Sequence, residues 1–229
     1  MSNFLINPYW VTSVPPDYET DFSSNTGWSA DTAKIQIDTG NSEMDFQGDG
    51  TNTDQDMFYD LGVIDNSEWL LRFKITFDTI ALNGTAGNAN EWQFGIRSLN
   101  NPSGESPAGD AICMTVAPGS SSIGNQVFSI DGGSRSTTSS NNNPFSTSTA
   151  TSTAFYCQLT RESSTSVTYK AFSNSGYSVQ VGTTTTHTTP SSVVGLRYLM
   201  SRIFSQAVSG DGLIASITDV QFWDGRTTP

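Results

Sequence analysis

The chain has 229 residues, long enough to bury a substantial core as one all-β domain or two small ones. Its 22 acidic against 10 basic residues give a formal net charge of -12. That balance argues against a nucleic-acid surface and an anionic membrane, and leaves neutral glycans or other proteins as ligands. No run is long and apolar enough to span a bilayer as a helix.

The first element is the stretch "NFLINPYWV". It carries no Lys or Arg, and Asn3, Asn7 and Pro8 interrupt its apolar run, so it does not read as a secretory signal. Phe4, Leu5, Ile6, Tyr9 and Trp10 are too many apolar groups to leave in water. Burying four of them is worth roughly 6–12 kcal/mol before entropy, at about 1.5–3 kcal/mol each. Two sites would satisfy them: an edge strand on the protein's own sheet, or an arm over residues 1–20 that docks on a neighbouring subunit. The second course predicts a homo-oligomer, and residues 21–229 then form the jelly-roll domain.

Period-two alternation runs through the rest of the chain. "AKIQIDTG" points Ile35 and Ile37 one way, and "EMDFQGDG" does the same with Met44 and Phe46. The clearest run is "EWLLRFKITFDTI". Trp69, Leu71, Phe73, Ile75 and Phe77 share one face, with Leu70, Arg72, Lys74, Thr76 and Asp78 on the other. "NEWQFGIRSL" aligns Trp92, Phe94 and Ile96; "AICMTVAPG" aligns Ile112, Met114 and Val116. "SRSTTSSNNNPFSTSTATST" (134–153) reads as a long polar surface loop. "FYCQLTRE" then aligns Phe155, Cys157 and Leu159, and "SVTYKAFS" aligns Val167, Tyr169 and Ala171. His187 falls in a Thr-rich stretch that reads as a turn. "GLRYLMSRI" is expected to align Leu196, Tyr198 and Met200.

In "LIASITDVQFWDG", Ile217 is out of phase with Val220 and Phe222. A β-bulge at Thr218-Asp219 restores both to the core. No stretch carries a helical period, and the turn signals between runs predict an all-β antiparallel sandwich. Cys113 and Cys157 both lie in strand-like runs, and two buried free thiols are expected.

The order of "DFSSNTGWS", "IQIDTGNSEMDFQGDG", "FYDLG", "EWLLRFKITF", "AFYCQLTRESSTSVTYKAF" and "IASITDVQFWDG" resembles the concanavalin A-like lectin/glucanase superfamily, in its laminin-G-like branch. The resemblance covers roughly residues 20–226. It implies a jelly roll, and members bind sugars or proteins, cleave polysaccharides, or decorate virus particles.

Glucanases of that superfamily set three carboxylates along one strand. Here Glu43 and Asp45 share a face, and Gln47 or Gly48 stands in the third place, so no catalytic residues are assigned. For sugar binding, Asn90, Glu91, Gln93 and Arg97 lie opposite Trp92, and Tyr156 and Gln158 could join them. For calcium, "GDGTNTDQD" sets Asp49, Asn52, Asp54 and Asp56 in one turn; Asp49, Asp54 and Asp56 are the expected carboxylate ligands. The competing reading for each set is an ordinary solvated polar surface. No cofactor is required, calcium being the one candidate. A non-enzymatic structural or adhesion protein of a virus particle is expected. A cellular lectin and a polysaccharide-active enzyme are the alternatives.

Overall fold

The computed structural model describes residues 13–48, 54–81, 90–100, 108–118, 123–139, 152–205 and 212–229. These residues form fourteen strands in two antiparallel sheets, with no helix among them. The larger sheet runs β12 (Gln180–Thr188), β11 (Ser166–Phe172), β10 (Ala154–Ser163), β5 (Trp69–Ala81), β14 (Gly212–Asp224), β3 (Glu43–Gly48) and β2 (Ile35–Asp38). Its eighth strand, β1 (Tyr18–Thr20), pairs with the last part of β14. The smaller sheet runs β4 (Gln55–Asp60), β13 (Tyr198–Ser205), β6 (Asn90–Arg97), β7 (Ala111–Pro118), β8 (Ile123–Asp131) and β9 (Ser134–Ser139).

Strand β5 anchors the larger sheet because it alternates without a break. Trp69, Leu71, Phe73, Ile75 and Phe77 are fully buried between the sheets. They meet Trp92, Phe94 and Ile96 of β6 and Ile112, Met114 and Val116 of β7, all equally buried. Four rings bind the two layers: Phe46 stacks on Trp92 at 4.3 Å, Trp92 lies 5.6 Å from Phe94, and Phe73 meets Phe94 edge-on at 4.8 Å. The Trp92 Nε1–H donates to Ser201 Oγ at 2.9 Å, so the one polar atom of that ring is satisfied.

The expected bulge is present. The register between β14 and β5 shifts between Thr218 and Gln221, and Asp219 takes a left-handed φ of 53°. Ile217, Val220 and Phe222 all reach the core as a result. Residues 18–20, expected within the arm, are a strand of the larger sheet. The apolar arm residues Phe4, Leu5, Ile6, Tyr9 and Trp10 lie outside the described residues.

Three expectations need correction. Ser134–Ser139 is strand β9 rather than loop, because its side of β8 would otherwise leave the ladder unpaired. In β13 it is Leu199 and Ile203 that join the core, while Tyr198 and Met200 face outward. Met200 is nevertheless buried, so apolar residues on both faces hid the period. His187 sits on β12 and is buried, held by Ser129 Oγ at 2.8 Å and Thr138 Oγ1 at 3.0 Å. Burial lowers its pKa, so it stays neutral at pH 7. Both cysteines are free and buried, as expected.

Phe73→Ala removes a ring from the centre of this packing and should cost about 3–5 kcal/mol. Lys74→Ala, on the opposite face of β5, should cost under about 0.5 kcal/mol. Denaturant melts giving equal losses would show that the strand register is wrong.

Candidate functional site

Turning Trp92, Phe94 and Ile96 inward forces Glu91, Gln93, Gly95 and Arg97 onto the outer face of the smaller sheet. Register then fixes their neighbours. Gln93 lies between Arg202 and Thr115, Gly95 between Met200 and Cys113, and Arg97 between Tyr198 and Ala111. Gly95 is required by close approach: a Cβ there would stand 2.3 Å from the Ile112 carbonyl oxygen.

This face was expected to be wet. Instead Glu91, Gln93 and Arg97 are nearly fully buried, and Arg202 entirely so. The groups survive burial by bonding one another. Arg202 pairs with Asp54 at 2.8 Å and with Asp56 at 3.0 Å. Arg97 donates to Gln93 Oε1, and Gln93 Nε2 donates to Glu91 Oε1 at 2.7 Å. Arg135, from β9, closes the series with two bonds to the Glu91 carboxylate at 2.8 and 3.2 Å, its guanidinium 4.3 Å over the Phe128 ring. Burial pushes the Asp56 carboxyl up, while the charges of Arg202 and Arg97 pull it back. Burial likewise lowers Arg97 and raises the neighbouring Cys113 thiol. The buried Thr115 hydroxyl beside Gln93 makes no hydrogen bond among the described residues.

Along the β4 edge the face opens. Phe58 and Tyr198 are half-buried and meet edge-on at 5.6 Å. Arg197 lies 5.4 Å over the Tyr198 ring and forms a two-bond pair with Asp60, both bonds 2.7 Å. Rings of partial exposure beside fixed acids and guanidinium groups can stack on one ligand face and bond its hydroxyls. Sequence reasoning missed these rings because Phe58 and Tyr198 come from strands far apart in the chain.

The expected sugar-binding set is not one site. Glu91, Gln93 and Arg97 lie on the smaller sheet, whereas Tyr156 and Gln158 lie on the outer face of the larger one, across the sandwich. Asn90 begins β6, on the same strand as Glu91. Of the expected calcium ligands, Asp49 lies outside the described residues, and Asp54 and Asp56 are engaged by Arg202. No group of three or more metal-ligating side chains forms among the described residues. On the larger sheet, Glu43, Asp45 and Asp78 line a cleft of about 380 Å³. Asp45 is pushed up to about 6 by burial and by Glu43, Asp38 and Asp78.

With this geometry in view, comparison with solved structures identifies the fold. A carbohydrate-binding module of the evolved Dit protein from Lactobacillus casei BL23 phage J-1 superposes with a TM-score of 0.58 at 9% identity, covering 91% of this chain and 94% of that one. The chain has the concanavalin A-like jelly-roll fold. Arcelin-5, a lectin-like defence protein of Phaseolus vulgaris, matches with a TM-score of 0.59 at 11% identity over 90% and 96% of the two chains. The alginate lyase of Klebsiella pneumoniae matches with a TM-score of 0.54 at 9% identity over 86% of each. At such identities the likeness is one of fold, which hosts both binding proteins and enzymes. No family model and no curated protein matches the sequence.

Two outcomes test the electrostatics. Replacing both Asp54 and Asp56 by Asn strips the buried Arg202 of two carboxylates and should cost about 3–5 kcal/mol. Asp60→Ala breaks a pair that is 46% and 42% exposed and should cost under about 1 kcal/mol. Equal losses in urea melts would contradict the burial assigned to Arg202.

Asp45 gives a pH dependence. Its raised pKa means that its stabilising contribution is fully present below the ordinary aspartate value and is lost as pH rises through about 6. Asp45→Asn should therefore raise Tm above pH 7 and leave it unchanged near pH 4. A Tm difference independent of pH would refute this.

Proposed function

We propose that this chain is a non-enzymatic, carbohydrate-binding jelly roll that serves as an adhesion or structural component on the surface of a virus particle, in contact with further copies of itself. The observation that carries the binding role is the half-buried Phe58–Tyr198 ring pair at the open edge of an otherwise sealed polar face. The pair offers apolar surface to a pyranose ring, and the Asp60–Arg197 pair beside it offers acceptors and donors already held in place.

The acids nearest the rings, Asp54, Asp56 and Asp60, are all committed to guanidinium groups. That arrangement suits recognition better than proton transfer, which needs an acid and a base free to exchange protons. The fold likeness to a phage carbohydrate-binding module supports both the ligand class and the setting. A low-charge surface rich in Ser, Thr and Asn is compatible with a particle exterior.

A glycan array probed with the full chain tests the reading. Neutral glycans should bind, and Phe58→Ala or Tyr198→Ala should weaken that binding about tenfold, equivalent to roughly 1.4 kcal/mol. An array without neutral binders, or binding indifferent to both substitutions, refutes the site. Turnover of laminarin or alginate refutes the non-enzymatic role, and sedimentation as a monomer refutes the self-association.

A further inference from the structure

The outer face of the larger sheet holds a second constellation, separate from the ring pair above. Cross-strand register lines up Arg72, Gln158 and Lys170 in one row, and Lys74, Tyr156 and Phe172 in the next. Three of the chain's ten cations thus stand close together, two on β5 and one on β11, either side of β10. None of the three is ion-paired among the described residues. All three are half-buried, so they are fixed in part without being sealed.

Arg72 is the best defined. Its Nε–H donates to Gln158 Oε1 at 2.9 Å, and its guanidinium lies 4.1 Å from the centre of the Tyr177 ring and 5.8 Å from that of Trp223. Tyr177 is positioned by its own turn: it adopts a φ of 50°, and its N–H donates to the Asn174 carbonyl. It also packs edge-on against Phe172 at 5.4 Å and Tyr156 at 6.0 Å. The two terminal nitrogens of Arg72 make no hydrogen bond among the described residues. The acid that acts on Tyr177 is Asp219 at the bulge, whose Oδ2 accepts from Thr218. Of the other acids on this face, Glu19 stands in the Arg72 row beyond Gln221, Glu162 accepts from Thr168 Oγ1 at 2.8 Å, Asp38 pairs across from Glu43, and Glu43, Asp45 and Asp78 line the cleft toward β3.

In a protein of net charge -12, a cationic patch left without carboxylate partners needs a reason. A guanidinium held over a ring, with its two terminal nitrogens unbonded among the described residues, can make a two-bond contact with a planar carboxylate. The adjoining Tyr156 ring offers stacking surface, and Gln158 offers an amide. A carboxylate together with a ring face is the chemistry of a uronic acid. We propose that this face binds an acidic saccharide, its carboxylate on Arg72, its charge offset by Lys74 and Lys170, and its ring on Tyr156.

The probe is oligogalacturonate, titrated calorimetrically into the full chain, with its neutral methyl ester as the paired control. The acid form should bind, and the ester at least tenfold more weakly. Arg72→Gln should weaken the acid form at least tenfold, as loss of a charge-assisted two-bond contact requires. Because Arg72 also packs against rings, the surface variant Lys74→Ala/Lys170→Ala serves as a second arm. It should melt like the parent and bind about threefold more weakly. Phe58→Ala should leave this binding intact, which separates it from the neutral-glycan site.

Absence of oligogalacturonate binding, equal binding of the ester, or indifference to both sets of substitutions overturns the proposal. Polyglutamate binding as tightly as oligogalacturonate, and through the same residues, also overturns it, and would mark an acidic protein as the partner.

Discussion

The cluster of Phe46, Phe73, Trp92 and Phe94 is the constraint on which the rest of the molecule depends. It draws two rings from each sheet, and its stacked and edge-on contacts fix how β3, β5 and β6 face one another. Because side chains alternate strictly along a strand, seating Trp92 and Phe94 inward decides the opposite face as well. Glu91, Gln93 and Arg97 have no choice but to point outward. The polar network is therefore the other side of the hydrophobic core, set by the same register.

That network shows how charges can be buried cheaply enough to keep. Arg202, Arg97 and Arg135 alternate with Asp56, Gln93 and Glu91 across the face, so each guanidinium meets a carboxylate or an amide. Such pairs add little net stability, yet losing one member leaves a stranded charge. The gain is geometric. The sheet holds its edge rings, Phe58 and Tyr198, on a base that cannot readily shift. A rigid base lowers the ordering cost of binding a flexible glycan.

The sequence was legible where one face of a strand is wet. In β5, Arg72, Lys74 and Asp78 alternate with buried rings, and the pattern assigns every residue to its side. The bulge was equally legible, since Ile217 and Val220 cannot both be core without an extra residue between them. Where both faces are buried, alternation loses its meaning. Met200 and Leu199 are neighbours, both buried and both apolar, so the pattern in β13 points either way. Polar strands failed for another reason. "TTTTH" and "SRSTTS" have no apolar period, although Thr is β-branched and suited to strands. Their pairing comes from neighbours that the local sequence does not display. The two candidate binding faces were illegible for the same reason: Phe58 with Tyr198, and Arg72 with Tyr177 and Trp223, meet only through tertiary pairing.

The pairing of the two chain ends has a mechanical meaning. Only three residues of β1 pair with β14, and the chain enters at the end of that pairing from which it also leaves. The joint is finished by single bonds: Asp17 N–H to the Phe222 carbonyl, Trp223 Nε1–H to the Val14 carbonyl, and Asp224 N–H to Asp17. Tension applied through the two ends would load these bonds one after another, as in opening a zip, rather than all at once in shear. Strand β14 would remain held by β5 along most of its length. The clasp would thus give way first and lengthen the tether, while the aromatic core and both outer faces stayed assembled under load.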